Sequence, residues 1–195
     1  FLHRGGGPTE PSRETGGTSK RQIAVMPKGT SHVFWQSVHA GAAKAAHERN
    51  CEILWNGPAT EGMRDEQFKI VEDMIARGVD GIVLAPLDAK ALVPAIHQAD
   101  NAGIPIVIFD SSAETDRYVS FVATDNYEGG SRAAEEMAKR LDGKGDVLLV
   151  RYAPGSASTA ERERGFQETL QKKYPGMKIA ADEYGKTTVA TALAV

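Results

Sequence analysis

The sequence predicts an α/β fold, a three-layer α/β/α parallel sheet, and three observations carry that prediction. Short unalternated apolar runs, such as Ile106–Phe109 (I-V-I-F) and 81–85 (G-I-V-L-A), suit strands covered on both faces. Helical patterns separate these runs, so the first half reads β-α-β-α-β-α-β, as parallel strands joined by helical crossovers do. The central run also ends abruptly in polar groups: Pro105 opens it, and Asp110, Ser111 and Ser112 close it. Ligands of open parallel sheets bind outside the carboxyl ends of the strands. A carboxylate and two hydroxyls at that edge are therefore candidate ligand groups.

Residues 1–20 are rich in Gly, Ser, Thr and Pro, with too little apolar surface to offset ordering entropy, and are expected to be a flexible tether. A first strand spans 21–26 (R-Q-I-A-V-M), stopped by Pro27 and Gly29. A helix follows over 33–49, with Val38, Ala42, Ala45 and Arg49 at helical spacing. Its small residues (Gly41, Ala42, Ala43, Ala45, Ala46) suggest close packing on a sheet. Phe34 and Trp35 stand in its first turn, where they can point toward the strand ends.

The second strand, 52–55, ends in Asn56-Gly57-Pro58. A helix over 64–76 has Phe68, Val71 and Ile75 as its expected buried stripe, with Gly78 as C-cap. After the strand at 81–85, Leu92, Ile96 and Ala99 mark a third helix, with Pro94 in its first turn. The next strand is expected over 118–124, and Asp125-Asn126 reads as a hinge and helix cap. A helix over 128–141 begins on Gly129-Gly130, where backbone can approach other chain closely. Then come a strand at 146–151, a helix at 160–173, a weaker strand at 177–184 and the start of a helix at 187–195.

A chain of 195 residues can bury a full core, as one domain or two small ones. The net charge of −3 gives no broad basic field, so no nucleic acid partner is expected. Cys51 is the single cysteine, which excludes an intrachain disulfide and a thiolate-rich metal site. No window approaches the ~18 apolar residues of a membrane span. His39, His47 and His97 pair with no other ligand at metal spacing and read as surface or helix-packing residues. Gly185-Lys186-Thr187 lacks the upstream glycine of a phosphate loop, and no nucleophile motif occurs. No cofactor, no metal and no enzymatic activity are expected. Lys28, in a loop, is expected to be solvated.

Five segments together resemble the ribose-binding-like solute-binding proteins of bacterial ABC sugar importers. They are V-M-P-K-G-T-S-H-V-F-W-Q-S-V-H-A-G-A, V-D-G-I-V-L-A-P, A-G-I-P-I-V-I-F-D-S, V-A-T-D-N-Y-E-G-G and T-A-E-R-E-R-G-F. The resemblance runs from Arg21 onward and implies a type I periplasmic binding fold. Two lobes, 21–124 and an incomplete 125–195, would close around a sugar, with a first hinge crossing near Thr124-Asp125. It implies ligand-binding roles for His32, Phe34 and Trp35 before and within the first helix, Asp110 and Ser111 after the fourth strand, and Arg162 in R-E-R-G-F. Flat aromatics pack on the C–H faces of a sugar, and charged groups hydrogen-bond its hydroxyl rim. Ser111 stands where the ribose type has a fork-shaped donor and His32 where it has an amide, departures that put ribose itself in doubt and leave a polyol-type ligand as the expectation.

The resemblance further implies a membrane permease as partner, a monomer at full length, and an exported protein of the periplasm or cell surface, lipid-anchored in some members. It also implies that the chain stops within its second lobe, leaving apolar sheet edges uncovered and the isolated 195-mer poorly soluble. A rival reading is the effector-binding core of a sugar-responsive LacI-type repressor, which shares the fold. Residues 1–20 are too short and too Gly-rich to supply that repressor's helix-turn-helix. An α/β enzyme would need a base and a nucleophile beside Asp110.

Overall fold

The computed structural model describes residues 20–195; the tether expected over 1–20 lies, apart from Lys20, outside them. The elements run β1 (Gln22–Met26), α1 (Val33–Arg49), β2 (Glu52–Trp55), α2 (Arg64–Arg77), β3 (Gly81–Leu84), α3 (Val93–Asn101), β4 (Ile106–Phe109) and β5 (Ser120–Val122). After them come α4 (Asn126–Arg140), β6 (Gly145–Arg151), α5 (Ala157–Lys173), β7 (Met177–Tyr184) and the short α6 (Val189–Ala192). One sheet has the order β2-β1-β3-β4-β5 and a second pairs β6 with β7. Every pairing is parallel, with Val25 opposite Val83 and Val83 opposite Val107 across the middle of the larger sheet.

Strand alternation sorts the five-stranded sheet into two faces. Ala24, Met26, Ile82, Leu84, Ile106 and Ile108 form one cluster with Val71, Met74 and Ile96 of α2 and α3. The alternate residue Phe109 meets Trp35 of α1, so α1 lies on the opposite face. That second face is the looser one. Of α1 only Trp35 and Ala46 are buried, with Val38 and Ala42 half-buried. The expected stripe through Ala45 and Arg49 is thus rotated, and the close packing expected of Gly41, Ala43 and Ala45 does not occur. A true 3.6-residue period carries 35, 38 and 42 on to 46, not 45.

The buried side of α2 is also rotated from the expected Phe68–Val71–Ile75 stripe. Gln67, Ile70, Val71 and Met74 are buried, while Phe68 and Ile75 are only partly so. Gln67 is the reason. Its amide donates to the carbonyls of Pro27 and Ala85 and accepts from the Leu87 N–H, satisfying three backbone groups at the carboxyl ends of β1 and β3. A polar residue with that task does not register in an apolar pattern. At the sheet edge, β5 is shorter than the expected 118–124, and its three residues are exposed.

In the second unit, α4 and α5 cross at glycines. A Cβ on Gly130 would overlap the Arg162 carbonyl, and one on Gly165 would overlap the Tyr127 carbonyl. The close approach expected at Gly129-Gly130 is made by Gly130; a Cβ on Gly129 would meet nothing. Asp125 caps α4 by accepting from the Glu128 N–H at 2.9 Å, as its sequence position predicts. Ala134, Ala138, Val147, Phe166, Leu170 and Met177 complete a small core.

Candidate ligand site between the two sheets

The loops that follow β1, β2, β3 and β4 all leave the five-stranded sheet at its carboxyl edge, and the loop after β6 meets them there. Lys28, just past β1, is buried to 3% exposure. Its ammonium lies 3.2 Å from Asp110 Oδ2, past β4, and donates to Ser156 Oγ at 3.3 Å and Ser158 Oγ at 3.1 Å. Three donors thus meet three acceptors, one after β4 and two at the start of α5. The solvated Lys28 expected from the sequence is overturned: β1 delivers it beneath the edge, where a carboxylate and two hydroxyls offset its desolvation. Burial still pulls its pKa below the ordinary lysine value, with Asp110 and Glu61 opposing that shift and Arg162 adding to it.

Asp110 adopts a left-handed backbone (φ 62°) as β4 turns away, a conformation Asp tolerates better than most residues. Ser111, 1% exposed, turns inward and accepts from the Ser158 N–H at 3.0 Å. Trp35 is 2% exposed, wedged edge-on between Phe34 and Phe109. Phe34 is 46% exposed at the rim. His32 is exposed and caps α1, its Nδ1 accepting from the Phe34 N–H at 3.1 Å. Arg162 is exposed on the face of α5 that also carries Ser158, close enough to Lys28 for the cations to repel.

The structure therefore gathers Asp110, Ser111 and Trp35 about Phe109 and Lys28, with Phe34, His32 and Arg162 around them. The Trp35 indole is packed against its neighbours here and does not face an open hollow with Asp110. A cavity of about 540 Å³ lies beside this cluster, between Asp88, Ser112 and Glu114 on one side and Gly155, Ala157 and Glu161 on the other. A second, of about 190 Å³, lies near Thr124 and Asn126.

Further groups at the junction carry no motif in the sequence. Glu61, after β2, accepts from Trp35 Nε1 at 2.7 Å and from the Tyr152 hydroxyl at 2.5 Å. Arg64 pairs with Asp88 at 3.1 Å and donates to the Pro154 carbonyl at 2.9 Å. Burial raises the Asp88 carboxyl, but the Ala91 and Lys90 N–H groups together with the Arg64 and Lys90 charges outweigh it and hold the pKa below the usual range. Gly155 fits against Asp88 because it lacks a side chain: a Cβ would overlap the carboxylate. The one sequence signal for Glu61, Asp88, Tyr152 and Gly155 was position, since each lies in the loop after a parallel strand, whereas Arg64 opens α2.

Among the described residues no group of three or more His, Cys, Asp or Glu is arranged to hold a metal, and no helix is long and apolar enough to cross a membrane.

Comparison with known proteins bears on the whole arrangement. Residues 23–195 match the periplasmic binding protein domain. A D-ribose/D-allose-binding protein of Pseudomonas aeruginosa is 32% identical over 184 residues, covering 90% of this chain and 57% of that protein. A ribose import binding protein of Bacillus subtilis is 27% identical, covering 92% of this chain and 58% of its own length. The chain thus spans rather more than half the length of these curated relatives. Among solved structures, an ABC transporter solute-binding protein of Agrobacterium vitis with bound D-fucose superimposes with a TM-score of 0.84 at 36% identity, over 89% of this chain and 61% of that one. With the domain match, the parallel sheets and these likenesses in agreement, the chain belongs to the periplasmic binding protein domain family, with its type I fold.

Proposed function

We propose that this chain supplies the ligand-capturing part of an ABC-type sugar importer, taking an uncharged monosaccharide or related polyol between two hinged lobes, 21–124 and 125–195. The observation that carries the reading is the Lys28–Asp110 pair, held by two hydroxyls from the start of α5 on the opposite side, at the edge where such folds bind ligands. A sugar hydroxyl both donates and accepts, so it can replace each of these bonds in kind. Asp110 accepts from the sugar, and Lys28 and Arg162 donate to it. Exchange of one hydrogen-bond set for another is nearly neutral. Net affinity then comes from the C–H faces against Phe34, backed by the packed Trp35, with His32 at the rim and Ser111 at the base of the junction. The printed ligands of relatives, ribose, allose and fucose among them, support the class.

In this reading, hinge motion near Thr124-Asp125 opens the junction, and the sugar binds the closed form better and so shifts the population toward it. The protein acts by delivery and without catalysis, as an exported monomer in the periplasm or at the cell surface, lipid-anchored or free, handing its ligand to a membrane permease. Calorimetric titration of the full-length gene product against D-ribose, D-allose, D-arabinose, D-fucose and simple polyols tests it. Saturable binding of at least one is expected; no heat with any of them contradicts the reading.

A further inference from the structure

Glu61 joins the two sides of the junction with its two oxygens. It lies between β2 and α2, half-buried, its Oε1 accepting from Trp35 Nε1 at 2.7 Å and its Oε2 from the Tyr152 hydroxyl at 2.5 Å. Trp35 belongs to the five-stranded side, and Tyr152 follows β6 on the other. Indole N–H can only donate and an ionised carboxylate can only accept, so the sense of the first bond is fixed. The indole has little freedom, being 2% exposed and held edge-on by Phe34 and Phe109. Gly29 leaves room for the carboxylate: a Cβ there would lie 3.1 Å from Glu61 Cγ. Burial, and then the bond to Glu61, raises the Tyr152 pKa, so the phenol remains a donor.

We propose that Glu61 is a positioning residue that couples closure of the two sides to the orientation of the Trp35 indole. One oxygen holds the indole within the first side; the other is engaged only when the Tyr152 loop arrives. Closure without the carboxylate would bury an indole N–H and a phenol together with no acceptor, whereas the open form exposes the phenol to water. Removing Glu61 therefore penalises the closed form more than the open one. The affinity consequence rests on the sugar-capture reading; the closure consequence does not.

The test uses the full-length gene product with Trp55→Phe, so that Trp35 is its reporter within these residues. Cys51→Ser, Lys69→Cys and Gln171→Cys provide dye positions on α2 and α5. Without any sugar, Glu61→Ala is expected to shift Trp35 emission and lower the closed-to-open ratio about tenfold, the equivalent of one charged hydrogen bond. Tyr152→Phe keeps the Glu61–Trp35 bond, so it is expected to leave open-state emission unchanged and lower the ratio about threefold. Glu61→Gln retains an acceptor for the indole and can donate to the phenol oxygen, so it should restore both readouts.

Sugar affinity should fall by the same factors in the first two variants. The proposal is overturned if Tyr152→Phe leaves the distance distribution unchanged, or if a folded Glu61→Ala leaves Trp35 emission unchanged. If the parent protein binds no sugar, the capture reading fails, and the sugar-free distances and emission still decide the role of Glu61.

Discussion

The two sheets of this molecule are held together by different physics. Around the five-stranded sheet, large side chains such as Met26, Ile82, Leu84, Ile106 and Ile108 fill a contiguous core against α2 and α3. In the second unit the core is small, and α4 and α5 meet through the absence of side chains at Gly130 and Gly165. One unit is therefore sensitive to lost volume and the other to added volume. That contrast also divides the labour at the junction. The larger sheet carries the buried charges, while the smaller one presents the loop after β6 and the first turn of α5, whose groups complete them.

The largest effect is expected where volume is lost. Ile108 is fully buried, and Ile108→Ala should destabilise the first unit by about 2–5 kcal/mol. Both tryptophans, Trp35 and Trp55, belong to that unit, so a thermal melt followed by tryptophan fluorescence reads it. An unchanged fluorescence midpoint would break the comparison. Next is added volume. Gly165→Ala forces a Cβ into the Tyr127 carbonyl and should cost about 3 kcal/mol, the upper part of the overpacking range. Its melt should move in far-ultraviolet circular dichroism more than in tryptophan fluorescence, whereas Gly129→Ala, which meets nothing, should be neutral or better. Equal effects of the two glycine changes would contradict the close crossing.

A smaller effect is expected at the boundary between the units. Asp125→Ala removes the α4 cap and should cost about 1 kcal/mol by the same dichroism melt, with Asp125→Asn largely restoring it.

The smallest is electrostatic. Lys28 has a folded-state pKa below its unfolded one, so between the two values the unfolded chain binds more protons and stability rises with pH. This contribution grows as pH climbs through the folded pKa toward 10.5, the unfolded value. Stability measured against pH in that alkaline window should rise less steeply in Lys28→Met than in the parent. Identical slopes would mean that Lys28 is not buried as an ammonium.

These comparisons also show what a sequence can carry. The β1 to β4 strands were legible because β-branched runs bounded by Pro, Gly and Asp have few other uses, and Asp110 stood out because β4 ended on it. Gly130 was anticipated as a point of close approach, but its partner Gly165 was not, since nothing local says which glycines face each other. Lys28 was misread because the rule for loop lysines ignores what lies beneath a strand end. Gln67 and Glu61 were silent for a related reason: each is a polar residue whose partners are backbone or side chains brought near only by the fold. That Trp35 can point toward the strand ends followed from helix position, and it meets Phe109 there, yet the packed state of the indole depends on Phe109 and Glu61 and shows only in three dimensions.

The central claim, that the Lys28–Asp110 junction is where the sugar is held, is most directly tested by titrating Asp110→Ala with a monosaccharide bound by the full-length parent. Losing a charged acceptor should weaken binding about a hundredfold, and the buried Lys28 ammonium left without its carboxylate should also lower the melting midpoint. A folded Asp110→Ala protein that binds the same sugar with the parent's affinity would contradict the account.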